Sequence, residues 1–152
     1  MDHTNSPLPV NRTMPACSII PVLGYADVPQ AIEWLTNVFG FKERWRAGDH
    51  RAQMSFGDGA IALSKQAAIN DTGQGSSGAS LVVPGHSMMV RVPDVFSHYE
   101  HVRQRGAQVL QPPIDFPYGE RQYNVLDIGG HVWVFSQSIA DLAPETWGGI
   151  PA

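Results

Sequence analysis

Residues 117–137 read Pro-Tyr-Gly-Glu-Arg-Gln-Tyr-Asn-Val-Leu-Asp-Ile-Gly-Gly-His-Val-Trp-Val-Phe-Ser-Gln. Two runs here, Glu120 to Leu126 and His131 to Ser136, alternate side chains in the period of two that marks strands, and Asp127-Ile128-Gly129-Gly130 between them supplies the turn. Upstream of this hairpin, Ser87 to Val92 predicts a strand and Asp94 an N-cap. Val95, Tyr99 and Val102 follow at i, i+4 and i+7, Gly106 ends the helix, and Ala107 to Gln111 predicts another strand. The second half is therefore β-α-β-β-β.

The first half has the same order. Ile19 to Tyr25 predicts a strand, and Asp27-Val28-Pro29-Gln30 makes a helix start like a capping box, with an early proline. Ile32, Leu35 and Phe39 form one apolar face of a helix of about three turns, and Gly40 supplies the stop. Strands are predicted at Phe41 to Ala47, Arg51 to Phe56 and Ala60 to Ser64. Tyr25-Ala26-Asp27 aligns with Val92-Pro93-Asp94, Gly40 with Gly106, and Phe56-Gly57-Asp58-Gly59 with Leu126-Asp127-Ile128-Gly129-Gly130, at offsets of 66 to 71 residues. The predicted class is α+β, built from two βαβββ modules at about 18–65 and 86–138 within one domain, 17–138. Each module has one helix for four strands, so one face of each curved mixed sheet needs another surface, and pairing the modules would form a cleft. A Gly/Ser-rich stretch at 66–85 reads as linker, residues 1–16 as an extension that is mobile or lies along the surface, and 139–152 as a C-terminal tail.

Composition narrows the function classes. The 152 residues are 43% hydrophobic and 16% charged, as in an ordinary globular domain, with a net charge of −4 and no basic stripe for nucleic acid. Cys17 is the only cysteine, which leaves no internal disulfide and no CxxC knuckle. No run of about 18 apolar residues offers a membrane span, and the first residues lack the pattern of a signal peptide, so a cytoplasmic location is expected.

The double module resembles the vicinal-oxygen-chelate superfamily, which includes glyoxalase I, bleomycin-resistance proteins and extradiol dioxygenases. The most specific resemblance is the Gly119-Glu120-Arg121-Gln122-Tyr123 strand followed by Asp127-Ile128-Gly129-Gly130-His131-Val132-Trp133. Pro21 to Val28 also looks like the family's first strand and helix start. Metal-using members of the superfamily place a His or Glu ligand on each of four strands. The matching positions here are near Ile20, Leu63, Ser87 and Val134, none of them a usual ligand. Sliding each strand by one residue recruits only His86. The resemblance thus implies a metal-free member without a cofactor, closest to the bleomycin-resistance proteins, and a homodimer.

Other constellations are weak. Gly73-Gln74-Gly75-Ser76-Ser77-Gly78 satisfies GxGxxG but reads as linker, without the strand-to-helix turn a dinucleotide requires. His98 and His101 stand at i, i+3 on a helix, in neither HExxH nor HxxEH, and read as a solvated face. No GxSxG elbow is present.

Polar residues on strands either face solvent or point into the cleft. Arg91 or Arg121 is a candidate to fix an anionic or carbonyl group, Gln53 is a further polar candidate, and Trp45, Met54, Met89 and Tyr123 are candidates to form apolar or stacking walls. Glu120 and Arg121 are adjacent and must point to opposite faces, so one of them is expected in a structural ion pair. The functional expectation is a metal-independent protein that binds a small aromatic or amphipathic molecule. The alternative is a lyase, isomerase or dioxygenase-like enzyme, using Glu120 as acid/base or a nonstandard metal site recruiting His86 and His131. A third reading makes Ser138 to Ala152, with Pro144, Trp147 and Pro151, a docking tail.

Overall fold

A computed structural model describes residues 6–66 and 85–152. Most of the predicted linker, with the GxGxxG stretch, lies outside the described residues, as do residues 1–5. The chain divides into two compact units, residues 1–68 and 69–152, each of which holds one module.

In the first unit β1 (Val22–Tyr25) leads to α1 (Val28–Trp34), a π-helical turn (Leu35–Phe39), β2 (Lys42–Ala47), β3 (Arg51–Phe56) and β4 (Gly59–Lys65). The sheet order is β1-β4-β3-β2, with β1 parallel to β4 and the other pairs antiparallel. The second unit repeats this with β5 (Met88–Arg91), α2 (Val95–Gln104), β6 (Val109–Phe116), β7 (Glu120–Leu126) and β8 (Val132–Ser138), in the order β5-β8-β7-β6. A short 3-10 turn, Pro144–Trp147, follows. Two four-stranded mixed sheets with one helix each are the α+β fold expected from the repeat.

Both helices start where the sequence places them. Asp27 Oδ1 accepts from the Gln30 amide at 2.9 Å and Asp94 Oδ1 from the Ser97 amide at 3.1 Å, so each satisfies one of the free N–H groups of a first turn. The first helix ends differently from the regular three turns expected. The Gly40 and Phe41 amides both donate to the Leu35 carbonyl, and Gly40 takes a φ of 93°. This wider last turn lets Leu35, Val38 and Phe39 all be buried.

Three strand ends also depart from expectation. β1 begins at Val22, after Pro21, rather than at Ile19. β8 runs on to Ser138. β6 extends from Val109 through Pro112 and Pro113 to Phe116, although prolines cannot donate to a ladder. It is an edge strand, and its register with β7 shifts between Gln111 and Ile114, which accommodates the two missing donors.

Each sheet has a helix side and an opposite side. Ala52, Met54, Ile61 and Leu63 share the helix side of the first sheet and pack with Val28, Ala31, Ile32 and Leu35 of the helical segment, all buried. In the second sheet Tyr123, Val125, Trp133 and Phe135 take that place beneath Val95 and Val102. The hairpin turn is tied by Asp127, 6% exposed, which accepts from the Gly129 amide (2.8 Å), the His131 amide (2.9 Å) and Trp133 Nε1 (2.9 Å).

The C-terminal tail lies on its own unit. The Ile139 and Ala140 amides donate to the Gly119 carbonyl, and Trp147 meets Tyr118 edge-on at 5.6 Å.

Candidate functional site

The predicted site residues separate by the side of the sheet they occupy. Arg121 lies directly across from Asp115 on the helix side and forms a two-point ion pair with it, Nε to Oδ1 at 2.6 Å and Nη2 to Oδ2 at 3.0 Å. Its guanidinium also sits 4.6 Å from the centre of the Phe96 ring of α2. The pair holds the Asp115 carboxyl below its usual range through the hydrogen bond from Arg121. Of the two adjacent residues Glu120 and Arg121, Arg121 is the one in the structural ion pair.

Tyr123 is fully buried on the same side, its hydroxyl 2.6 Å from His98 Nδ1 and its ring against Tyr99 and Phe135. Burial pushes its phenol far above the usual range, so the hydroxyl keeps its proton and shares a hydrogen bond with His98 Nδ1. Met54 is fully buried on the helix side of the first sheet. Arg121, Tyr123 and Met54 were expected to line a ligand site. The structure places all three on the helix side of their sheets, each in step with the apolar residues that the helix covers. His98, read from the sequence as part of a solvated face, packs 4.2 Å from Phe135 for the same reason.

The face opposite α2 carries Glu120, Gln122 and Asn124 of β7, Val134, Ser136 and Ser138 of β8, and Met89 and Arg91 of β5. Register places Glu120 across from Ser138, Gln122 from Ser136, and Arg91 beside Ser136. Glu120 Oε1 accepts from Ser136 Oγ at 2.8 Å and from Gln122 Nε2 at 2.9 Å, and Arg91 Nη2 donates to Ser138 Oγ at 3.1 Å. Met89, 60% exposed, stands beside Val134 on that face. The result is a polar row fixed by its own hydrogen bonds, with an accessible thioether and a guanidinium at the rim. Ser136 and Ser138 escaped the sequence reading. Their alternation with the aromatic positions of β8 was the signal that could have found them.

On the first sheet, Trp45 and Gln53 pair across β2 and β3 on the side away from α1. Gln53 is 3% exposed, and its Oε1 accepts from Arg44 Nη1. The Trp45 indole N–H is buried and has no hydrogen-bond partner among the described residues.

The metal candidates remain apart from this chemistry. His86 is exposed and His131 half-buried, each two residues before the paired Met88 and Trp133. Among the described residues, no group of three or more His, Cys, Asp or Glu side chains converges to hold an ion. Leu63 faces the helix, so its neighbours Ala62 and Ser64, with Ala60, are the residues of β4 on the opposite side.

A family model described as Glyoxalase/Bleomycin resistance protein/Dioxygenase superfamily matches residues 17–135. The chain belongs to this superfamily. Solved structures agree with the assignment. TioX from Micromonospora sp. ML1 is 28% identical, with 84% of this chain and 100% of that one covered at a TM-score of 0.62. A glyoxalase/bleomycin resistance protein/dioxygenase from Nocardioides is 19% identical, over 86% and 90% of the two chains, at 0.56. Lactoylglutathione lyase from Agrobacterium tumefaciens is 14% identical, over 81% and 94%, at 0.60. The last two show the shared glyoxalase-like fold alone. No curated protein gives a significant match. No helix among the described residues is long and apolar enough to cross a membrane.

Proposed function

We propose that this superfamily member binds a small amphipathic molecule on the sheet faces opposite its helices, without a protein-held metal ion, and that it works in the cytoplasm as a homodimer. The observation that carries the reading is the ordered polar row Arg91, Ser138, Ser136, Glu120 and Gln122 beside exposed Met89. A guanidinium at the rim has donors to offer a carboxylate or carbonyl, and a thioether adapts to an irregular apolar surface. Support for metal independence comes from the donor set: Ile20, Ser87 and Val134, with Ala62 or Ser64, offer no imidazole or carboxylate where relatives place ligands. His86 and His131 together fall short of the three protein ligands of an open catalytic site.

The test is a thermal-shift screen of aromatic and amphipathic carboxylates, run on wild type and Arg91→Ala, with metal content measured on protein purified without chelators. A ligand-induced rise in melting temperature that disappears in Arg91→Ala is the expected result. Tight stoichiometric metal with a melting shift on EDTA would overturn the reading in favour of lyase or dioxygenase chemistry. Sedimentation equilibrium giving a monomer would refute the dimer.

A further inference from the structure

The N-terminal extension is bound to the first sheet by its backbone. Thr13 C=O accepts from Gln53 Nε2 at 3.1 Å, and Met14 C=O lies 3.5 Å from Arg44 Nη2. The segment is shaped locally for this. Asn11 Oδ1 accepts from both the amide and the hydroxyl of Thr13, and the Met14 amide closes the turn onto the Asn11 carbonyl at 3.1 Å. Two successive carbonyls are thereby presented to the sheet side that bears Gln53 and Trp45.

Among the described residues, little else holds the segment there. Leu8 is 59% exposed, Val10 102% and Met14 49%, so the extension buries little apolar surface and depends on a few hydrogen bonds. On the same side of the sheet, across from Gln53, the Trp45 indole N–H is buried without a partner among the described residues. An occupant that satisfies the Gln53 and Arg44 donors but not the indole is replaceable by one that satisfies all three.

We propose that residues 11–14 are a tethered occupant of an acceptor-reading site formed by Arg44, Trp45 and Gln53, and that a peptide-like small molecule carrying several amide carbonyls displaces them. This inference rests on the small-molecule-binding reading and names the ligand class for the first sheet. Backbone carbonyls are the groups now seated on these donors, and a compound with spaced amide carbonyls offers the same acceptors plus one for the indole. The extension then acts as an internal competitor, so free protein shields the buried Gln53 and ligand releases residues 9–16.

Trypsin cleavage after Arg12 reports the release. Gln53→Glu keeps the acceptor for Arg44 but turns the donor facing Thr13 C=O into an oxygen. Cleavage is expected to accelerate about three- to tenfold, the effect of losing one hydrogen bond of ordinary net strength, while the melting temperature stays near that of wild type. Should that buried substitution fail to fold, Asn11→Ala on the exposed turn serves instead and should accelerate cleavage in the same direction. N-acetyl-diglycine methylamide should raise the wild-type cleavage rate in a saturable way and leave the already released variant unchanged. Unchanged cleavage in folded Gln53→Glu or Asn11→Ala would overturn the tethered contact. Accelerated cleavage in the variants with no response to the diamide would overturn the ligand class. Neither result depends on the Arg91 screen, so a failure of this inference is separable from a failure of the binding reading.

Discussion

Replacing Asp127 by Asn should cost about 2–3 kcal/mol of stability, although the two side chains have nearly the same shape. The carboxylate serves three donors: Oδ1 takes the Gly129 and His131 amides, and Oδ2 takes Trp133 Nε1. Asparagine offers one oxygen. If that oxygen stays with the amides, its NH2 group faces the indole N–H, donor against donor, and Trp133 is only 1% exposed, so water cannot take over. If the amide flips, two backbone donors lose their acceptor instead. Leaving a buried donor unsatisfied costs about 1–3 kcal/mol, and hydrogen bonds to a charged acceptor contribute about 1.5–3 kcal/mol each. Gly129 is exposed, so part of the amide contribution is recoverable from solvent. Asp127→Ala, which loses all three contacts, should cost roughly 3–4 kcal/mol on the same reasoning. Urea unfolding followed by circular dichroism gives the values, and Trp133→Phe supplies the control. In that background the indole donor is gone, so Asp127→Asn should cost about 1 kcal/mol or less, with a coupling of about 1–2 kcal/mol between the two sites. Equal penalties in the two backgrounds would refute the argument that the indole contact carries the loss.

Gly119→Ala should cost roughly 2–4 kcal/mol in the same assay, because φ is 89° and an added Cβ would lie 2.2 Å from the Ala140 carbonyl oxygen. Gly130→Ala, at a φ of 83° with nothing within 4 Å, should cost only about 1–2 kcal/mol, and equal losses at both sites would contradict the clash. Tyr123→Phe removes the hydrogen bond to His98 and should cost about 1 kcal/mol by urea unfolding, with no loss implying that the 2.6 Å contact is not formed in solution. Asp115, Asp49, Glu43 and Glu100 are each held below their ordinary values of 3.8 or 4.5 by a hydrogen bond from Arg121, Lys65, Arg46 and Arg103 respectively. A carboxylate with a lowered folded pKa stabilises above its unfolded value and loses that contribution as pH falls through the folded one. Melting temperature should therefore decline below about pH 4 and flatten in 0.5 M salt, whereas a rise on acidification from pH 4.5 to 3 would refute the assignment.

The repeat was legible because helix caps, turn glycines and alternation are local signals that recur at a near-constant offset. The edge-strand prolines of β6 were not, since tolerance of Pro112 and Pro113 depends on which strand ends up at the sheet edge, a property of the whole topology. The extension's contact with Gln53 spans 40 residues and follows no period, so nothing in residues 9–16 announced it.

The division of the site residues between the two sides of the sheet has one cause that was present in the sequence. Val95 and Val102 of α2 require an apolar sheet face, and the densest apolar alternation nearby is Tyr123 and Val125 with Trp133 and Phe135. Arg121 is in step with Tyr123, so it belongs beside the helix, where Asp115 and Phe96 receive its charge. Glu120, Gln122 and Asn124, one residue out of step, belong on the other side. The same counting in the first module puts Ala52, Met54 and Phe56 under α1 and leaves Gln53 opposite. Arginine draws attention as an anion-binding side chain, but its step along the strand decides which side of the sheet it serves. Substitutions on the helix side, Arg121 included, should therefore move stability, and those on the opposite side, Arg91 first, should move ligand affinity. An Arg121→Ala variant that loses ligand affinity at unchanged stability would show that the two sides do not divide the work in this way.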